Sequence, residues 1–193
     1  RLWLVLAACV TTTGGVLAAY SFVAPVLVER AGLSASLVPL VLTGFGVGSF
    51  VGTIVGGRLG DAHPHLVTVV TPAVTTLVLL AMALLTGSTG ATIALLVVLG
   101  LFGLSANSVL IHLAVGFAGR AATLGSALSV AAFNVGTAIG TAVAGAVIAS
   151  PLGLTGPTLV GAAFVALTLI PVGVLALLAR RSGRAAGSPV GSR

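Results

Sequence analysis

The chain has 193 residues, of which 58% are hydrophobic and 5% are charged, and its mean hydropathy is +1.29. A soluble domain of this length has no single core that could bury so much apolar surface, so the composition indicates an integral membrane protein. The net charge is +6, but the cations are dispersed over short loops and a tail, which argues against nucleic-acid binding and for a role in membrane orientation.

Six apolar stretches are long enough to cross the hydrocarbon core as helices, since one crossing takes about 20 residues. They predict one six-helix bundle over residues 1–181 and a disordered cytoplasmic tail at residues 182–193. The breaks between the stretches are short, so consecutive helices should be antiparallel neighbours. The predicted helices lie at about residues 2–28, 36–57, 66–86, 91–115, 123–149 and 158–179.

The charged residues lie outside these stretches, and the arginines mark every second gap. Arg1, Arg58, Arg120 and the tail arginines follow this alternation, whereas Arg30 does not. Because cytoplasmic loops hold an excess of Lys and Arg, we expect both termini of the segment in the cytoplasm.

Glycine recurs at every fourth position in two of the predicted helices, which gives each a stripe without side chains. Such stripes let another helix approach closely. Each stripe occupies the middle helix of a three-helix group, as two inverted three-helix repeats would produce; packing inside the bundle is the alternative. The stripes consist of Gly44, Gly48, Gly52 and Gly56 in the second helix, and Gly136, Gly140 and Ala144 in the fifth.

The chain offers few groups for catalysis: two carboxylates, three histidines, one cysteine and one tyrosine. Their spacing matches no metal cluster, no nucleophile with its base and no phosphate loop. We therefore expect no metal, no cofactor and no enzymatic activity.

Residues 57–61, Gly-Arg-Leu-Gly-Asp, end the second helix and enter a predicted cytoplasmic turn. This segment resembles the loop motif of the major facilitator superfamily, Gly-x-x-x-Asp-Arg followed by further basic residues. Gly57 and Asp61 match the motif, and Ala62 replaces the expected Arg. The resemblance implies that Asp61 helps latch two halves of a transporter together, and a helix-end Asp paired with Arg58 is the alternative.

Two further segments carry the same resemblance. Residues 132–140 read Ala-Phe-Asn-Val-Gly-Thr-Ala-Ile-Gly, and residues 20–27 read Tyr-Ser-Phe-Val-Ala-Pro-Val-Leu. They are similar to the eleventh and seventh helices of that family's drug/proton antiporters with twelve spans, of the sugar-efflux and chloramphenicol-resistance type. In this order they imply that the chain is the carboxy-terminal half of such a protein.

The resemblance implies a role for each helix. The first and fourth would line the central cavity, the second and fifth would face the missing amino-terminal half, and the third and sixth would face lipid. The glycine stripes, and Asn134 beside one of them, would then lie between the two halves.

Polar side chains on the two cavity helices are candidate substrate contacts, because polar groups in a bilayer cost free energy unless paired or hydrated. An interfacial position is the alternative for Tyr20 and His112, and bonding to neighbouring helices is the alternative for Asn107 and Ser108. The candidates are Thr11, Thr12, Thr13, Tyr20, Asn107, Ser108 and His112.

Proton antiport needs a titratable group that is exposed to the two sides in turn. Glu29 and Asp61 both lie at helix ends, so we expect the coupling carboxylate in the amino-terminal half.

The sequence thus predicts an all-α integral membrane protein, one six-helix half of a major facilitator transporter in a bacterial inner membrane. Its partners would be the lipid bilayer, the other half, protons and a small drug-like or sugar-like compound that is moved outward by alternating access. One alternative is a self-sufficient homodimer that packs glycine stripe on glycine stripe. A non-transporting scaffold and an intramembrane enzyme are further alternatives.

Overall fold

The computed structural model describes residues 1–186 of the chain, and every regular element in that range is helical. The long helices are α1 (Leu2–Ser21), α2 (Val38–Ala62), α3 (Pro64–Leu85), α4 (Thr89–Gly103), α5 (Asn107–Ala118), α6 (Ala122–Ile148) and α7 (Gly156–Ala186). After α1, the first crossing continues through one turn at Val23–Pro25 and a π-helical turn at Val26–Arg30. Short 3₁₀ turns lead into α2, α6 and α7.

The described residues cross the membrane six times, as predicted. Five stretches are apolar and long enough to cross, and one of them, Thr89–Ile148, has 60 residues. A straight helix of that length would measure about 90 Å, three times the hydrocarbon thickness of about 30 Å. Gly119, with a φ of +57°, reverses the chain between α5 and α6, and these two helices pack against each other. The long stretch is therefore two crossings.

Most helix ends lie within a few residues of the predicted ones. Proline occupies the first turn of both α2 and α3, where its missing N–H leaves no helical bond unmade. Pro72 and Pro171 lie inside α3 and α7. The backbone of α7 stays helical to Ala186, and the rest of the predicted tail, residues 187–193, lies outside the described residues.

The first helix of each three-helix group packs against the other group. Helix α1 lies against α6 and α7, and α4 lies against α2 and α3. Helices α3 and α7, the last of each group, also contact each other. The packing of each first helix against the other group agrees with two inverted repeats. Each group therefore contributes one helix to the core of the other.

The glycine stripe of α2 faces inward. Gly48, Gly52 and Gly56 are buried, and a Cβ added to Gly48 would lie 2.8 Å from the carbonyl oxygen of Val97. Added Cβ atoms at Gly52 and Gly56 would meet the backbone of Leu101 and Ser105. The stripe thus receives the fourth crossing of the same chain. Gly44, at its outer end, is half-buried beside the side chain of Val97.

The stripe of α6 behaves in the same way. Gly136 and Gly140 are buried, and added Cβ atoms would collide with the backbones of Val10 and Gly14 on α1. The expectation that the stripes face the missing half is therefore wrong, and a homodimer joined stripe to stripe has no free stripe to use. The physical reason is that lipid does not drive helices together, so the closest backbone packing forms where small residues meet within one bundle.

Candidate functional site

The fourth crossing is interrupted near its middle. Helix α4 ends at Gly103, residues 104–106 form a turn, and α5 begins at Asn107. The turn is held by the amide of Asn107, which donates to the carbonyl of Leu104 at 3.1 Å, and by the hydroxyl of Ser105, which donates to the carbonyl of Phe102 at 2.8 Å. Irregular backbone at membrane depth is tolerated where protein or a hydrated cavity surrounds it.

Two predicted cavity residues follow this turn directly, and both carry a buried polar atom without a partner. The Oδ1 atom of Asn107 and the Oγ atom of Ser108 form no hydrogen bond within the described part of the chain. A buried polar atom without a partner costs roughly 1–3 kcal/mol. Such a pair indicates a place where water or a ligand completes the hydrogen bonding.

Ser108 opens into a small cavity, which we call the polar pocket. Its volume is about 50 Å³, which is sufficient for ordered water. The absence of a side chain at Gly60 leaves room for Val109, which an added Cβ would overlap. The polar pocket is lined by Gly57, Gly60, Asp61, Ser108, Val109 and His112.

The polar pocket unites two sets of residues that the sequence indicated separately. Gly57 and Asp61 come from the loop motif at the end of α2, and Ser108 and His112 come from the predicted cavity helix. Arg58 is exposed and does not line the pocket, whereas Asp61 does. Asp61 is therefore oriented toward α5, across the contact between two crossings.

The candidates on α1 lie elsewhere. The ring of Tyr20 stacks on that of Phe45, with centroids 4.2 Å apart and an angle of 26° between the planes. Thr13 is buried, and its Oγ1 atom has no partner among the described residues. The hydroxyls of Thr11 and Thr12 lie 2.8 and 3.2 Å from that of Thr168 on α7. Tyr20, Thr11 and Thr12 thus join helices of the bundle, and none of these α1 candidates lines the polar pocket.

Helix α6 presents a second feature that the sequence analysis missed. Asn134 is exposed, and its Nδ2 atom donates to the carbonyl of Val130 at 2.8 Å. On the same side of α6 a row of small residues is also exposed, opposite the buried glycines. The signal was present as alanine at spacings of four and seven residues. The exposed row consists of Ala127, Ala131, Asn134, Ala138 and Ala142.

No group of three or more His, Cys, Asp or Glu side chains within residues 1–186 is placed to hold a metal ion. The polar pocket contains one carboxylate and one imidazole, together with a hydroxyl. This lining can donate and accept hydrogen bonds.

Comparison with known proteins identifies the family. A family model described as Major Facilitator Superfamily matches residues 4–192. The chain is 32% identical to the chloramphenicol resistance protein of Streptomyces lividans, over 79% of this chain and 39% of that protein. It is 26% identical to the MFS-type transporter YtbD of Bacillus subtilis, over 87% of this chain and 43% of that protein. It is 29% identical to the inner membrane transport protein YdhP of Escherichia coli, over 87% and 44%.

The chain spans about two fifths of the length of these relatives, from 39% to 44%. Their names describe transport and drug resistance, in agreement with the prediction of a transporter rather than an enzyme. No solved structure matches the chain.

Proposed function

The chain belongs to the Major Facilitator Superfamily, and we propose that it forms the carboxy-terminal half of a secondary transporter that exports a small drug-like compound in exchange for protons. The observation that carries the proposal is the similarity to a chloramphenicol resistance protein over most of this chain. In this proposal the transporter resides in a bacterial inner membrane, and the arginine pattern puts both ends of the segment in the cytoplasm.

The exposed faces of α2 and α6 would meet the other half of the transporter. Because the buried glycines hold these helices to their own bundle, the moving contact would use their opposite sides. On α6 that side is the small-residue row around Asn134, over which another helix can slide closely. The six helices of this chain would then rock as one unit against the other half.

The substrate would be held mainly by shape, with a few hydrogen bonds. Asn107 and Ser108 supply unpartnered polar atoms beside a break in the fourth crossing. Discontinuous helices near the middle of a transporter are a common way to present such groups. An uncharged or amphipathic compound suits this wall, because a charged one would need an opposite charge inside the span.

Proton coupling would depend on a carboxylate outside this chain. Both of its carboxylates, Glu29 and Asp61, lie at helix ends and are exposed. Asp61 would instead act at the cytoplasmic gate, since it lines the polar pocket between α2 and α5. A carboxylate in that position can hold the two helices together through water in one state and release them in another.

The experiment is an accumulation assay with the whole transporter in an efflux-deficient bacterium. We expect cells that express it to accumulate several-fold less labelled chloramphenicol than cells with an empty vector. A protonophore should remove the difference. Unchanged accumulation of chloramphenicol and of a panel of sugars and amphipathic drugs would contradict the export proposal.

A further inference from the structure

A large apolar cavity lies apart from the polar pocket, between α2 and α3. Its volume is about 450 Å³, within the range of small-ligand sites. Its walls are side chains of α2 and α3, and its floor is the end of α4 with the turn that follows. We call it the apolar groove, and its lining includes Val55, Leu59, Leu66, Val70, Leu101 and Phe102.

The apolar groove lies beside the glycine stripe of α2 and offers almost no free polar group. Gly52 and Gly56 line it and contribute no side-chain volume. The hydroxyl of Thr71 donates to the carbonyl of Val67 at 2.6 Å, and the hydroxyl of Ser105 donates to the carbonyl of Phe102. Both hydroxyls that line the groove are therefore already bonded, which suits a hydrocarbon occupant.

The length of the apolar groove corresponds to one leaflet. On α2 its lining runs from Val51 to His63, and twelve residues of helix rise about 18 Å. The hydrocarbon core is about 30 Å thick, so one leaflet contributes about half of that. The groove thus begins at the predicted cytoplasmic surface and ends near the middle of the bilayer.

Two basic residues lie at or beside the mouth of the apolar groove. Arg58 is exposed and lies on the same face of α2 as Val51 and Val55, at spacings of seven and three residues. His63 lines the groove at its outer end. Asp61 follows Arg58 by three residues and lines the polar pocket rather than the groove. A long arginine side chain at this depth can reach the headgroup layer.

We propose that the apolar groove holds one acyl chain of an anionic phospholipid of the cytoplasmic leaflet, whose phosphate lies near Arg58 and His63. The lipid fills the space between α2 and α3 that the protein leaves open. Anionic lipid is favoured because a basic side chain near the surface attracts it, by about five-fold for a single arginine. This site is independent of whether the transporter exports a drug.

The test uses the whole transporter, reconstituted in equimolar phosphatidylglycerol and phosphatidylethanolamine, extracted in mild detergent and weighed by native mass spectrometry. We expect one retained phosphatidylglycerol. Val70→Trp, which fills the apolar groove, should abolish its retention. Leu77→Trp lies two turns along the same face of α3, outside the groove, and should leave it unchanged.

A second pair of variants leaves the groove open and tests whether the positive charge of Arg58 selects the anionic lipid. Arg58→Gln should lower the ratio of retained phosphatidylglycerol to phosphatidylethanolamine about five-fold, whereas Arg120→Gln, away from the groove, should not.

Equal retention of the two lipids by the unaltered protein, or retention that survives Val70→Trp, would overturn the proposal. Displacement of the lipid by chloramphenicol would overturn it in favour of a substrate site. If Val70→Trp prevents the two halves of the transporter from assembling and Leu77→Trp does not, the groove is a contact surface for the other half and the lipid proposal is overturned.

Discussion

The contact of α6 with α1 and the contact of α2 with α4 are equivalent in the two repeats, yet they are built differently. In the first, glycines meet glycine: a Cβ added to Gly14 would lie 2.7 Å from the carbonyl oxygen of Gly136, and Gly140 faces Gly14 in turn. In the second, Gly48 meets the backbone of Val97, and Gly100 meets that of Phe45. The two contacts thus differ in that the atom nearest to an added Cβ belongs to another glycine at Gly14 and Gly140, whereas along α2 and α4 it belongs to a residue with a side chain.

The polar side chains of α1 and of the fourth crossing also differ in their hydrogen bonding. Thr11 and Thr12 on α1 are hydrogen-bonded to Thr168, and α1 runs unbroken from Leu2 to Ser21. The fourth crossing breaks at residues 104–106 and leaves polar atoms of the next two residues unpartnered. Thr13 on α1 is also unpartnered, and the first crossing is interrupted too, but only at Phe22, after the 20 residues of α1. The comparison indicates that Thr11 and Thr12 are bonded within the bundle, whereas Asn107 and Ser108 each keep an unpartnered polar atom among the described residues.

The largest effect is expected at the α1 contact. Gly140→Ala would force a methyl group into the backbone of Gly14, and we expect a loss of about 3 kcal/mol in the free energy of unfolding. The measurement is unfolding of the full transporter by SDS, followed by circular dichroism. Gly145→Ala on the same helix is the control, because its methyl group would lie 3.4 Å from the ring of Phe22. Equal losses in both variants would mean that the contact is not close-packed.

A smaller loss is expected at Gly48, near the outer end of the α2 contact. Gly48→Ala would place its methyl group 2.8 Å from the carbonyl oxygen of Val97. This approach is less close than the one at Gly140, so we expect a loss of about 1–2 kcal/mol in the same assay. Gly46→Ala has open space around it and should cost nothing. A loss at Gly48 that exceeds that at Gly140 would reverse the comparison.

Thr168→Val tests the hydrogen bonds of α1. It removes the partner of Thr11 and Thr12, and hydrogen bonds between membrane helices contribute about 0.6 kcal/mol on average. We expect a loss of about 1 kcal/mol in stability with unchanged export. Reduced export at unchanged stability would place Thr168 among the transport residues.

The smallest effect on stability is expected for Ser108→Ala, because no hydrogen bond is lost. We expect a change within about 0.5 kcal/mol, together with a several-fold change in the export rate. Asn107→Ala should behave similarly. Ser108→Ala and Asn107→Ala should therefore change export with little effect on stability, whereas Thr168→Val should change stability with little effect on export. A stability loss without a transport effect would mean that Asn107 and Ser108 are not part of the substrate site.

The crossings and the face that the glycines share could be predicted from the sequence, because helical periodicity and apolar length determine them. The helix that packs against each glycine stripe could not be predicted in this way. In a soluble protein polar residues mark the outer face, but a membrane helix is apolar on both sides. Leu79 is fully buried and Leu84 is 83% exposed on the same helix, and nothing in their chemistry distinguishes them.

The candidate site, too, could be predicted from the sequence only in part. The sequence identified Ser108 and His112 as polar residues within an apolar span and Asp61 from the loop motif, and it assigned them to two separate roles. The tertiary structure brought them into one pocket, because the glycines at positions 52, 56 and 60 let α2 approach the fourth crossing closely enough for its end to reach α5.

By itself the sequence determined how many times this chain crosses the membrane and which side chains are too polar to lie there without a reason. The fold decided which helix receives each glycine stripe, which polar atoms remain unpartnered and where an apolar groove stays open. The physical reason is that a bilayer is as apolar as the side chains within it, so close packing, rather than burial from water, selects each neighbour.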